Sequence, residues 1–517
     1  MLTRTIRALA LALLILPAAA MTAAEPVLGN ISFPNSGADE AQGAFLTGVK
    51  ALHSFQFDEA RFAFEEAQKI DSSFALAYWG QAMSDNHPLW AQQDIEAATA
   101  ALSRLAPDHD ARLAKAPTEK EKAYLNAIDI LYYSPGDKLT RDYAYSAYMA
   151  EMHERWPDDH EIAVFYSLSL LGTVRRGDRG FRRQARAASI ALKVFEENPN
   201  HPGGAHFIIH SFDDPDHAIL AYPAAVVYAD IAPAAAHALH MPSHIFLQLG
   251  MWQDVVNSNI EAYAAAVATI AKYGLPAGRE DFHTLSWLAY ANLKLGQYEN
   301  AEENLSKARA TLDRNPNSAR VHNGYLDMLG RHMIETGQYG EHGLAPIDSN
   351  EGKHAEWIAA IGMGAAHRGD LNASMASADR LRTLSENAEA AGSNYLARQI
   401  AVLEQEVTAV RLMMGGDMDG AIAAAKNAAE MERQYLRAPS GPPKPMKPAG
   451  ELYADMLLAA NRSAEAVSAY QQSLQWMPQR TPSMRGLAKA AEMTGDEGTA
   501  REMMARLKEM PGANLMD

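Results

Sequence analysis

Residues 286–298 read Ser-Trp-Leu-Ala-Tyr-Ala-Asn-Leu-Lys-Leu-Gly-Gln-Tyr, and Glu-Asn-Ala follows. Apolar side chains recur every three or four positions up to Leu295, which is the spacing of a helix with one buried face. Gly296 is the residue type that ends helices in the left-handed conformation. Tyr298 offers an apolar contact between two helices, and Glu299 suits the first turn of the second one. The stretch therefore predicts two helices packed against each other across a short turn.

The same turn design recurs along the chain. It appears again at 55–60, 250–255, 337–339, 369–371, 416–421 and, more loosely, 461–466. Helix-forming residues fill the intervals between these turns, and alternating β patterns are scarce. The pattern resembles the tetratricopeptide repeat, a pair of antiparallel helices of about 34 residues. This resemblance implies an all-α solenoid of helical hairpins, whose first helices line a concave inner surface.

Five segments are expected from the pattern. Residues 1–24 are a signal peptide, 25–40 an extended N-terminal segment, 41–437 the helical array, 438–449 a proline-rich connector, and 450–517 C-terminal helical pairs. The prolines of the connector exclude a helix there. A rigid spacer is the favoured interpretation of the connector, ahead of a ligand-binding role.

The N-terminus predicts export. Arg4 and Arg7 precede a short apolar run and a cluster of small residues, with cleavage expected before Glu25. The prediction is therefore a periplasmic or secreted protein, and the absence of cysteine excludes disulfides and thiolate ligands. Cleavage would remove two arginines and no acidic residue, so the formal net charge would change from −17 to −19. Such a charge disfavours nucleic acid as a partner, and no later apolar run is long enough for membrane insertion.

Seven of the eighteen histidines lie between positions 201 and 244. We predict a first helix at 203–212, a second at 216–231, and the next first helix at about 234–249. Pro242 should kink that last helix, because proline cannot donate the backbone hydrogen bond. The nearby Asp213, Asp214 and Asp216 are candidates to orient histidine rings or to ligate an ion directly.

Five of these histidines form our predicted metal site: His206, His210, His237, His240 and His244. An i, i+4 pair on one helix brings two imidazoles to one ion, and this pair occurs twice, 34 residues apart. Counted back from the turns, four of the five point inward, while His206 points towards helix packing and ranks second. Imidazole favours zinc or copper among the divalent transition metals.

Three further histidines receive separate interpretations. His201 precedes Pro202 at a helix start and is assigned to the loop. His217 lies on a second helix and is not expected to be a ligand. His283 occupies the same inward position, relative to its turn, as His237, so it extends the row of histidines.

Two motifs in this region resemble a family. Residues 201–210 fit H-P-G-x-x-H-x3-H and residues 237–245 fit H-x-x-H-M-P-x-H-I, and both stretches are similar to a bacterial family of tetratricopeptide-repeat (TPR) proteins. The resemblance supports the fold and the histidine site, and it implies no particular reaction.

Two functions remain open at this stage. One is a metal-binding solenoid, with or without enzymatic activity, whose site lies on the concave face. The other is a non-catalytic scaffold that binds a protein or peptide segment in the groove and uses its histidines structurally. No catalytic motif decides between them, and the oligomeric state is not indicated.

Overall fold

The computed structural model describes residues 26–276, 278–279, 281–346 and 351–510. The predicted signal peptide and its cleavage site lie outside these residues. Residues 26–38 are not helical, and they hydrogen-bond to later loops: Asn30 N–H donates to Asn200 O, and Ala234 N–H donates to Val27 O.

The fold is all-α, as predicted. The described helices are α1 Asp39–His53, α2 Phe57–Ile70, α3 Ala75–Met83, α4 Ile95–Leu105, α5 His109–Leu113, α6 Glu119–Tyr133, α7 Lys138–Arg155, α8 His160–Gly172, α9 Arg182–Glu197, α10 Pro202–Ser211, α11 Ala218–Ile231, α12 Ala236–His240, α13 Pro242–Gln248, α14 Trp252–Tyr273, α15 Phe282–Lys294, α16 Tyr298–Arg314, α17 Ala319–Thr336, α18 Ala355–His367, α19 Leu371–Ala390, α20 Asn394–Met414, α21 Met418–Tyr435, α22 Ala449–Ala459, α23 Ser463–Trp476, α24 Thr481–Thr494 and α25 Glu497–Glu509. Two short 3-10 helices, Pro88–Trp90 and Glu351–His354, and the two-residue strands β1 Asn86–His87 and β2 Gln92–Gln93 complete them.

The predicted turns share one backbone geometry. Gly250, Gly296 and Gly416 all have positive φ, between 70° and 88°. The residue after each glycine donates its N–H to the carbonyl five positions earlier, as Gln297 does to Asn292 at 2.8 Å. This is the Schellman cap, which satisfies carbonyls at a helix end and reverses the chain. Successive helices therefore pack as antiparallel hairpins, and the predicted solenoid of hairpins is confirmed.

The histidine-rich region differs from the expected helix bounds. The helix expected at 234–249 is two helices, α12 and α13, which separate at Met241. Pro242 stands at the first position of α13, where its missing N–H is tolerated. Helix α11 begins at Ala218 rather than at 216, because the side chain of Asp214 accepts backbone N–H groups in the preceding turn.

The connector folds back onto helices from the middle of the chain. Gln248 of α13 donates to Pro439 O at 2.9 Å, and Arg331 of α17 donates to Pro443 O at 3.1 Å. Gly441 lies directly against the ring of Trp287 in α15. The segment at 436–448 therefore packs against α13, α15 and α17 in addition to linking α21 to α22.

The last helices return to the middle of the chain. The buried Arg480, which precedes α24, donates to Tyr290 Oη of α15 at 3.2 Å and to Glu335 Oε1 of α17 at 2.7 Å. It also binds Glu451 of α22. The solenoid thus closes on itself around a buried ionic network. Among the described residues, no helix combines the length and apolarity needed to cross a membrane.

Candidate metal centre

The five predicted ligands divide between two neighbouring clusters. The first triad is His206, His210 and His237, and the second triad is His240, His244 and His283. Within each triad the candidate ligand nitrogens lie within 4.8 Å of one another. His283, which the sequence suggested only as an extension of the row, completes the second triad.

Oxygen acceptors fix the ring orientation in the second triad. His240 Nδ1 lies 2.7 Å from Asn259 Oδ1, and His244 Nδ1 lies 2.6 Å from Asp213 Oδ2. The Asn259 amide nitrogen donates to Val255 O, so its oxygen is the atom that faces His240. Because both acceptors are oxygens, both Nδ1 atoms carry hydrogen. In the neutral form of each ring, the remaining Nε2 atom is then a lone-pair acceptor.

These two lone pairs face each other. His240 Nε2 and His244 Nε2 are 3.1 Å apart, at hydrogen-bonding distance, and two neutral rings would leave no hydrogen between them. A positive charge between the rings, either a proton or a metal ion, resolves this conflict. Metal-bound histidines characteristically donate the other ring N–H to a carboxylate or carbonyl, which is the arrangement found here.

The first triad is held in a similar way. His206 Nδ1 donates to the backbone oxygen of His53 at 2.6 Å, which leaves His206 Nε2 bare. His237 Nε2 lies 3.1 Å from that atom. His210 Nε2 is buried and has no hydrogen-bond partner. An unpartnered buried nitrogen beside two other imidazoles is suited to hold an ion.

Removal from water keeps these rings neutral. It lowers the pKa of His206, His210, His237 and His240 well below the ordinary value, and repulsion from neighbouring histidines adds to the effect. Neutral imidazole is the form that ligates metals.

Aromatic rings form the walls of both triads. Phe55 lies 4.4 Å from His206, 5.3 Å from His237 and 5.6 Å from His210, measured between ring centroids. Trp287 lies 4.3 Å from His244 and 5.1 Å from His240. These walls exclude water from one side of the site and restrict the rotation of the imidazoles.

A third cluster is held together by a carboxylate, although His53 Nδ1 is buried there without a hydrogen-bond partner. Buried Glu161 accepts from His53 Nε2 at 2.7 Å and lies 3.0 Å from His201 Nε2. The N–H of Gly204 donates to His201 Nδ1, so His201 Nε2 carries the hydrogen and donates to Glu161. Burial raises the pKa of Glu161, but the two histidines outweigh it and lower that pKa to about 2. The cluster joins α1, α8 and α10.

Several expectations about single residues can now be compared with their positions. His206 is fully buried and belongs to the first triad, although counting from the turn directed it towards helix packing. His201 caps the start of α10, and His217 binds Asp214 outside both triads. Of the three aspartates proposed to orient rings, Asp213 holds a ring of the second triad, and Asp214 holds only His217 outside the triads. Nothing in the sequence pattern signals Glu161, which has no motif of its own.

No protein-family model matches the chain, and no curated protein matches it in sequence. The resemblance to a bacterial family with two histidine motifs therefore stays a prediction.

Solved structures share its helical architecture only distantly. Yeast Tom70 is 11% identical, with a TM-score of 0.32, over 91% of this chain and 92% of that one. The APC/C Cut9–Hcn1 hetero-tetramer is 13% identical, with a TM-score of 0.36, over 94% of this chain and 76% of that one. The human IFIT1 dimer with m7Gppp-AAAA is 13% identical, with a TM-score of 0.32, over 92% of this chain and 90% of that one. These scores are too low to transfer any function.

Proposed function

We propose that this protein binds a transition-metal ion, zinc or copper, at the second triad on its inner surface. One observation carries the proposal: His240 and His244 direct two bare Nε2 atoms at each other, 3.1 Å apart, while oxygen acceptors hold both Nδ1–H groups. His283 supplies a third nitrogen within reach of the same point.

The spacing of the nitrogens suits one ion. Two nitrogens that each lie about 2.0–2.1 Å from zinc are about 3.3 Å apart at the tetrahedral angle. The distance found, 3.1 Å, needs only a small adjustment to reach this value. Three imidazoles and no thiolate favour zinc or copper over magnesium or calcium, which prefer oxygen ligands. Three protein ligands leave a fourth position for water or a small ligand.

Metal analysis of untagged protein tests the proposal. We expect at least one equivalent of zinc or copper per chain after dialysis, and loss of this equivalent in the double variant His240→Ala/His244→Ala. His160→Ala is the matched control, because His160 is a histidine outside both triads that pairs with Glu197. Circular dichroism verifies that each variant is folded.

A proton is the alternative to a metal ion between His240 Nε2 and His244 Nε2. If zinc and copper never bind stoichiometrically, and added metal leaves the thermal stability of the folded wild-type protein unchanged, the metal proposal fails. An imidazolium held by Asp213 would then account for the geometry.

A second candidate is a protein-binding scaffold. The connector favours it, since inner-surface side chains Gln248 and Arg331 already hold the carbonyls of an extended, proline-rich segment. An inner groove of stacked hairpins suits extended chains. A synthetic peptide of residues 438–448 tests this function. It should bind the variant Gln248→Ala/Arg331→Ala, which lacks the groove side chains, more weakly than it binds Gly441→Ala, in which only the docking of the protein's own connector is disturbed.

We also propose that the protein functions outside the cytoplasm, in the periplasm or in the medium. The charged start, apolar run and small residues of positions 1–24 support this. N-terminal sequencing of the protein from an exporting cell should begin at Glu25. An intact Met1 in the recovered protein would contradict the proposal.

A further inference from the structure

The two triads adjoin each other. The ring centroids of His210 and His244 are 6.1 Å apart, and those of His237 and His240 are also 6.1 Å apart. The two triads are therefore in contact through two separate pairs of histidines. Ions held by the two triads would be neighbours within one centre.

One side of this centre is more open than the other. His206, His240 and His244 are buried and form its floor. His210 and His237 are half-buried and His283 is exposed, so these three form its mouth. A ligand from solvent would reach the ions between the mouth residues.

The charges around the centre are unbalanced. Six neutral imidazoles bring no negative charge, so two divalent ions depend on nearby carboxylates for compensation. Asp213 and Asp281 both act on His283, while Lys444 of the connector adds positive charge at the same ring. The sum remains strongly positive, and a positive, partly dehydrated metal centre favours an anionic ligand.

Lys444 strengthens the preference for an anion. Its side chain is exposed, and it follows Gly441 by three residues. Gly441 lies against the ring of Trp287, whose centroid is 4.3 Å from that of His244 and 5.5 Å from that of His283. The connector therefore brings an exposed ammonium group close to the second triad. An ammonium of this kind commonly binds phosphate as a point charge.

We propose that the two triads form a single two-ion centre, and that this centre binds a small oxyanion between its ions with Lys444 at its mouth. The inference rests on the proposed metal function, because without ions the neutral histidines have no preference for an anion. Two ions a few ångströms apart are a general arrangement for holding the oxygens of one phosphoryl group.

The test uses the full chain loaded with zinc, with inorganic phosphate as the probe. We expect two zinc equivalents per chain, and a saturable rise in Tm of about 2–4 °C with phosphate that chloride at equal ionic strength does not produce. The metal-free protein should show no such rise. Phenyl phosphate in place of phosphate asks whether the oxyanion can belong to a larger molecule.

Variants separate the ions from the anion. His210→Ala/His237→Ala should bind one zinc equivalent and lose the phosphate effect. Lys444→Gln should keep two equivalents and bind phosphate several-fold more weakly. Lys426→Gln, an exposed lysine of α21 paired with Glu430, is the control and should change neither.

Each failure has its own reading. One zinc equivalent in the wild type overturns the two-ion centre but leaves the proposed metal function intact. If the wild type binds no zinc, both proposals are overturned. Two equivalents with no phosphate effect, or with equal phosphate affinity in Lys444→Gln and wild type, overturn the anion site alone.

Discussion

Phe55 occupies a backbone position that other turns of the array give to glycine. Its φ is 51°, and Gln56 N–H donates to Ala51 O in the same Schellman pattern. A left-handed conformation costs a non-glycine residue about 1–2 kcal/mol. The aromatic ring offsets this cost, because it packs on all three histidines of the first triad. Backbone strain at this point therefore coincides with the candidate site, as is common at functional positions.

Substitution of Phe55 should separate strain from packing. We expect Phe55→Gly to relax the backbone but to lower the free energy of unfolding by about 2–4 kcal/mol, since loss of a buried phenyl ring costs more than the relief returns. Asn461→Gly is the control: Asn461 has a φ of 59° at the equivalent turn and is exposed. Urea unfolding followed by circular dichroism measures both. Equal stability of Phe55→Gly and wild type would refute the packing role.

Asp213 should control metal affinity without contacting the metal. We expect Asp213→Asn to weaken zinc binding about 10- to 100-fold, because a neutral amide oxygen holds the His244 N–H less strongly than a carboxylate does. Titration against a chromophoric chelator measures the affinity. Asp214→Asn is the matched control, since Asp214 binds His217 instead. A change of less than twofold in Asp213→Asn would contradict this role.

At the level of secondary-structure elements, the sequence pattern did not predict the docked connector or the break between α12 and α13. Helical periodicity and turn glycines predicted the hairpins. Spacings of three and four residues selected the five candidate histidines, and both signals depend on residues close in sequence. Division into two triads depends on how α12 and α13 turn about Met241, and this is decided by tertiary packing. The connector's docking on Trp287 could not be predicted, because Gly441 follows Trp287 by 154 residues.

Gly441 tests the docking of the connector. A Cβ atom at this position would overlap the rigid ring of Trp287. We therefore expect Gly441→Ala to push the connector off the inner surface and to speed amide hydrogen exchange in residues 438–448. Gly43→Ala, in a helix with open space around the new methyl group, should leave exchange there unchanged. Wild-type exchange rates in Gly441→Ala would mean that the connector does not depend on this contact.

In the molecule as a whole, one buried arginine joins the end of the solenoid to its middle. Arg480 and Lys294 lower the pKa of Glu335 to about 2, even though burial alone would raise it. A carboxyl with a lowered pKa stabilises the fold above its unfolded pKa of about 4.5. This stabilisation is lost as the pH falls from about 4.5 towards 2.

Removal of Arg480 should change how the stability of the fold depends on pH. We expect Arg480→Met to cost about 3–5 kcal/mol at pH 7, because Glu335 and Glu451 lose a buried counter-charge. The difference from wild type should shrink below pH 4, where both acids can take up protons. Thermal unfolding at pH 7 and at pH 3.5 measures it, with Arg501→Met on the exposed face of α25 as control. A pH-independent loss would show that packing, and not charge, dominates at this position.

Closure of the array by Arg480 also bears on how such a protein can be dissected. Open solenoids tolerate truncation by whole repeats, since each unit contacts only its neighbours. Here the last hairpins supply partners to α15 and α17, so removing them would leave Glu335 and Tyr290 without their long-range contact. The chain should therefore resist being shortened from its C-terminus, and should melt as one cooperative unit where an open array would fray from its ends.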